Sequence, residues 1–208
     1  MKLQYFCHRG DTEIGGFGIS AARRPLYIEE FVTIPQVTSL ISVSFDDEAV
    51  ADYFDTCVDQ GLTPERFARI WLHTHPGASV TPSGTDEDTF ERVFGSCDWS
   101  VMAIFGRTGR TYARLAMHSG PRIDVELPTR VDWARWPDDL DMDALPLDLL
   151  SADWHSEYDA NIVAIDQTHQ RLDDWLADPF LAVASPGTAD WQIPPPKPKP
   201  GAPDEPPF

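Results

Sequence analysis

The first two-thirds of the chain alternate between short β-like runs and segments with helical spacing. Leu3 to Phe6 and Glu13 to Ile19 read as strands, with Gly15, Gly16 and Gly18 allowing another backbone to come close. Leu26 to Thr33 and Val37 to Val43 are apolar and β-branched and are split by Pro35, which predicts a hairpin. A helix follows, with Ser44 and Asp47 as its capping pair. Val50, Phe54, Cys57 and Val58 keep helical spacing, and Gly61 stops it. Phe67 to His75 reads as a central strand, with Ile70 and Leu72 on one side.

A second helix is expected from about Asp86 to Phe94, turning Phe90, Val93 and Phe94 inward and ending at Gly95. Three further strands are predicted over Val101–Phe105, Thr111–Met117 and Arg122–Leu127. The first two are joined by a turn at Gly106–Arg110, and the last carries the alternation of a half-buried strand. These elements make an α+β fold with one mixed or antiparallel sheet flanked by helices.

The pattern changes near residue 131. Trp133, Trp136, Trp154 and Trp175 stand far apart among acidic residues. Trp154, Tyr158 and Ile162 at intervals of four predict a helix from about Ser151 whose apolar stripe is a packing face. A short helix is expected over Gln167–Leu176, and Pro194 to Pro200 reads as a polyproline-like tail. The expected organisation is a core over 1–130, a Trp-rich, partly helical extension over 131–185, and a Pro-rich flexible tail over 186–208.

Composition narrows the class. The chain of 208 residues has a net charge of -18, which would repel phosphate backbones, so nucleic acid is not an expected partner and a protein with a basic face is easier to accommodate. No stretch approaches the roughly 20 apolar residues of a membrane helix, and the N-terminus turns polar too early for a secretory signal. Cys7, Cys57 and Cys97 form no CxxC pair and suggest reduced thiols, which places the expected protein in the cytoplasm, away from membranes.

The segment that carries chemistry is His73-Thr74-His75, followed by a Pro/Gly/Ser loop to Ser83-Gly84-Thr85-Asp86. On a strand, residues i and i+2 share a face, so His73 and His75 can offer two imidazoles to one ion while Thr74 faces away. Asp86 falls in the first turn of the expected helix, where the dipole favours a carboxylate. Taken alone, Ser83 to Asp86 also reads as an ordinary capping box. Two imidazoles and a carboxylate suit zinc, with a fourth position left for water.

The pattern of His73, His75, Ser83 and Asp86, with seven residues between His75 and Ser83 and two between Ser83 and Asp86, resembles the signature of the JAB/MPN (JAMM) zinc metalloproteases. Thr12-Glu13-Ile14-Gly15-Gly16 is similar to the family's Glu-bearing strand. The resemblance covers roughly residues 1 to 127 and implies an MPN/JAB-type (cytidine-deaminase-like) core. It implies one Zn2+ held by His73, His75 and Asp86, with Glu13 as general base and Ser83 as oxyanion donor. It further implies a peptidase or isopeptidase acting after the C-terminus of a ubiquitin-like protein, in deconjugation or precursor processing. The setting it suggests is a bacterial antiphage conjugation system whose enzymes would be further partners. A zinc peptidase on another substrate (sulfur-carrier, cell-wall or phage-tail peptide) and a non-catalytic MPN scaffold stay open. Because connections such as Gly106–Arg110 are short, grip on a substrate would come from the core, the Trp-rich region or another protein. His8 is expected at the surface, and His118, His155 and His169 have no spacing that joins them to the site.

Overall fold

The computed structural model describes residues 1–132 and 147–165. A six-stranded mixed sheet forms the centre. In chain order its strands are β1 (Gly15–Ala21), β2 (Arg24–Thr33), β5 (Ile70–His75), β6 (Trp99–Gly106), β7 (Thr111–Met117) and β8 (Ile123–Glu126). In space they run β2-β1-β5-β6-β7-β8, with β5 and β6 parallel and every other neighbouring pair antiparallel. A second, three-stranded sheet holds β3 (Gln36–Thr38) between β4 (Val43–Phe45) and β9 (Ile162–Ala164). Helices cover both faces of the large sheet, as an α+β mixed sheet requires.

The two faces follow from alternation along β5 and β6. Ile70, Leu72, Val101 and Ala103 pack with Leu3 and Phe6 of α1 (Lys2–Arg9), and Trp154 and Tyr158 of α5 (Leu147–Asn161) join them. Trp71, Met102 and Ile104 face the other way. They meet Phe90 and Phe94 of α4 (Gly84–Phe94), together with Val50, Tyr53 and Phe54 of α2 (Asp47–Asp59). Of the expected helical stripe, Trp154 and Tyr158 form a packing face set against α1, while Ile162 joins the same core from the first residue of β9, after α5 ends at Asn161.

Several expectations are corrected. Leu3–Phe6 is not a strand but part of α1, because Leu3, Phe6 and Cys7 stand at i, i+3 and i+4 and all three are buried. The hairpin partner of β2 is β1, joined through Ala22 and Arg23, and not the segment after Pro35. Val37–Val43 is broken by a turn in which Ser39 N donates to Ser42 O, so only Gln36–Thr38 and Val43–Phe45 are extended. The cap of α2 is Asp46, whose carboxylate accepts from Ala49 N; Ser44 lies in β4. After α2, Gly61 adopts φ +77, a left-handed conformation that favours glycine. Phe67 closes a short helix, α3 (Pro64–Phe67), and β5 begins at Ile70. Val93 is exposed, and all four residues of the edge strand β8 are exposed rather than half-buried.

Trp133, Trp136, Trp175, the helix expected over Gln167–Leu176 and the Pro-rich tail lie outside the described residues. Among the described residues, no helix is long and apolar enough to cross a membrane.

Candidate metal centre

Three elements converge at the C-terminal end of β5. The register of β1 on β5 pairs Gly15 with His73, and Thr74 N continues the ladder by donating to Ile14 O, which sets Glu13 opposite His75. Gly16 allows the β1–β2 approach, since a Cβ there would stand 2.2 Å from Val32 O. His73 and His75 share the face of β5 that carries Trp71, and the Trp71 indole stacks on the His73 ring at 4.2 Å. Asp86 arrives from the first turn of α4. There a capping box closes: Ser83 Oγ accepts from Asp86 N at 3.1 Å, and Ser83 N donates to Asp86 Oδ2 at 2.7 Å.

Asp86 Oδ1 lies 3.3 Å from His73 Nε2, and Asp86 Oδ2 lies 3.4 Å from His75 Nε2. Glu13 Oε1 stands 3.6 Å from His75 Nε2. One donor atom from each of His73, His75 and Asp86 lies within 4.8 Å of the other two, and all three residues are buried.

The donor set suits a cation. His75 Nδ1 lies 3.1 Å from Ser79 O, and a carbonyl can only accept, so Nδ1 carries the proton and Nε2 keeps its lone pair. Both His73 nitrogens, His75 Nε2 and Glu13 Oε2 are buried without a hydrogen-bond partner. Buried polar atoms are normally satisfied, so four orphans at one point call for an explanation. A bound ion would satisfy His73 Nε2 and His75 Nε2 together; His73 Nδ1 is left without the outer partner that ligating histidines usually have. The group His73–His75–Asp86 could thus hold a metal ion.

Electrostatics follow the same arrangement. Burial pushes Glu13 up from its ordinary 4.5 to about 8, with Asp86 adding to the rise and His75 opposing it. Burial also lowers His73, against the pull of Asp86. For His75 burial works downward, but Asp86 and Glu13 outweigh it and the net direction is up. Asp86 ends well below the usual carboxylate range, because the two histidines and Ser83 overcome its burial. A metal would therefore compete with a proton on His75.

All five residues predicted for the site lie in this region. Four of them (Glu13, His73, His75 and Asp86) face one another, while Ser83 stands at the rim as the helix cap. His8 is exposed beside Gln4, His118 reaches Cys97 O, and His155 pairs with Arg9 and Asp159; none joins the site. His169 lies outside the described residues. The supporting residues were not foreseen: the Thr74 hydroxyl accepts from Ile14 N, and the Gln36 side chain spans Gly15 N and O. The one sequence signal for Thr74 was its place between two like-facing histidines. A scan of the chain against protein-family models gives no match, and a search of curated proteins gives none either.

Proposed function

We propose that the chain is a zinc-dependent peptidase or isopeptidase of the JAMM type on an MPN-like fold, acting after the C-terminus of a ubiquitin-like protein. The observation that carries this reading is the meeting of two buried imidazole nitrogens without hydrogen-bond partners with one capped carboxylate, beside a second carboxylate whose Oε2 has no hydrogen-bond partner. Two imidazoles and a carboxylate are a common catalytic zinc set.

Zinc bound there would activate a water near neutral pH and polarise the scissile carbonyl. The chain's own residues divide the remaining work. Glu13 takes a proton at Oε2, its unpartnered oxygen, and returns it to the leaving amine. Its buried carboxyl sits high on the pH scale without metal, and the positive charge of an ion would draw it down to an accepting form at neutral pH. Ser83 accepts from Asp86 N through Oγ, which leaves its own O–H to donate to the oxygen on which negative charge develops. Asp86 is held by Ser83 N so that Oδ1 points toward His73.

The substrate class rests on the motif's resemblance, and charge agrees with it. Asp46, Asp47, Glu48, Asp52, Asp55 and Asp59 line the start and outside of α2 and are exposed, a face suited to a basic partner. The test is cleavage of a ubiquitin-like protein bearing a C-terminal extension by the native chain, by Glu13→Ala and by chelated protein. Zinc-dependent cutting after the terminal residue, lost in both controls, is the expected result. Cutting that survives Glu13→Ala and chelation would overturn the mechanism.

A further inference from the structure

Glu13 is buried two residues before β1; its neighbour Ile14 is tied to Thr74 of β5, but the N–H groups of Glu13 and Gly15 are given elsewhere. The fixing contacts come from the small sheet. Thr12 Oγ1 and Thr38 Oγ1 share a hydrogen bond of 2.8 Å, and Glu13 N donates to Ser39 O at 2.8 Å. Gln36 behaves as a missing strand residue. Its Oε1 accepts from Gly15 N at 2.8 Å, and its Nε2 donates to Gly15 O at 2.9 Å and to Ile34 O at 2.8 Å. Thr12, Glu13, Gln36, Thr38 and Ser39 are all buried.

β3 is only three residues long and is itself held from the far end of the chain. β9 pairs with it in parallel, Gln36 with Ile162, Val37 with Val163 and Thr38 with Ala164, and Ile165 N donates to Thr38 O at 2.8 Å. Just before β9, α5 grips the end of β2. Asn161 Nδ2 donates to Thr33 Oγ1 at 2.9 Å, Thr33 Oγ1 donates to Glu157 at 2.6 Å, and Lys2 closes on Glu157 at 2.6 Å. The metal-facing residues are placed by β5, which β6 holds along its whole length, and by the capping box of α4.

We infer that the α5–β9 segment is a brace that positions Glu13, acting through Gln36, Thr38 and Ser39, and that it sets the base independently of the metal ligands. This rests on the reading of Glu13 as general base. The segment lies about 120 residues away from β3 in sequence, so breaking its contacts should loosen Thr12, Glu13 and the Gly15 N–H, while Ile14 stays tied to Thr74 and His73, His75 and Asp86 stay in place. A base misplaced by about 1 Å can cost on the order of 10²-fold in rate.

The test uses full-length variants. Ile165→Pro removes the N–H given to Thr38 O, Thr38→Val removes the hydroxyl shared with Thr12, and Thr38→Ser keeps it. Amide exchange at Glu13 and Gly15, zinc affinity, and kcat and KM are measured for each. The expected result for Ile165→Pro and Thr38→Val is faster exchange at Glu13 and Gly15, whose N–H groups go to Ser39 and Gln36, but not at Ile14 or at 70–75. Zinc affinity and KM should stay within about twofold while kcat falls about tenfold or more, and Thr38→Ser should restore native behaviour. Unchanged exchange at Glu13, or zinc affinity falling in step with kcat, would overturn the brace. A native chain that cleaves nothing would remove the peptidase reading, while the exchange and zinc measurements would still decide whether Glu13 is held this way.

Discussion

Glu13 is 4% exposed and its carboxyl is raised to about 8, so without metal it folds holding a proton that the unfolded chain gives up near 4.5. Between those two values the native state binds more protons at this position than the unfolded state, and stability falls as pH rises. Asp86 runs the opposite way: its lowered pKa contributes stability above its ordinary 3.8 that is lost as pH falls. Glu13→Gln removes the first effect and Glu13's share of the rise at His75, which also loses stability as pH rises. Unfolding midpoints in chelator should therefore show the variant gaining on the native chain from pH 5 to pH 8, and an unchanged gap would contradict the burial of that carboxyl. At this scale the sequence was most informative about residues whose placement depends on local geometry. Strand alternation puts His73 and His75 on one face, and a loop of fixed length brings Asp86 back to them. Gln36 and Thr38 could not be read in this way, because their partners at Gly15 and Thr12 lie on another strand.

The α4 N-terminus shows how one element serves two purposes. Its capping box closes the helix and also orients the Asp86 carboxylate, and the orienting bond comes from the Ser83 backbone rather than its side chain. Ser83→Ala should therefore cost about 1 kcal/mol of stability through the lost cap. Zinc affinity should hold, while kcat falls on the order of 10²-fold if the hydroxyl stabilises the developing oxyanion. Urea unfolding, zinc titration and kinetics separate these effects, and a kcat no lower than the small stability loss explains would restrict Ser83 to capping. Element boundaries were legible where capping or turn chemistry is local, as at Ser83, Gly61 and Gly106–Arg110. They failed at α1, where a short aromatic run looked strand-like although Leu3, Phe6 and Cys7 already had helical spacing. They failed again at β8, where alternation of Ile123 and Val125 with acids suggested a buried face that the sheet edge does not supply.

Over the whole molecule, the α+β class with a mixed sheet between helices follows from the alternation of short apolar strands and amphipathic helices. The small sheet does not follow from it. Its central strand joins residues near 37 to residues near 163, a parallel pairing that no local pattern encodes, and through it the end of the described chain reaches the segment bearing Glu13. The central claim is that the meeting point of β5 and α4 is a zinc site. Equilibrium zinc loading of metal-stripped protein, read as metal per chain, tests it most directly. About one zinc ion per chain is predicted for the native protein and for Glu13→Gln, with loading lost in His75→Ala and Asp86→Ala. A native chain that takes up no zinc, or one whose loading is the same in His75→Ala, would contradict the account.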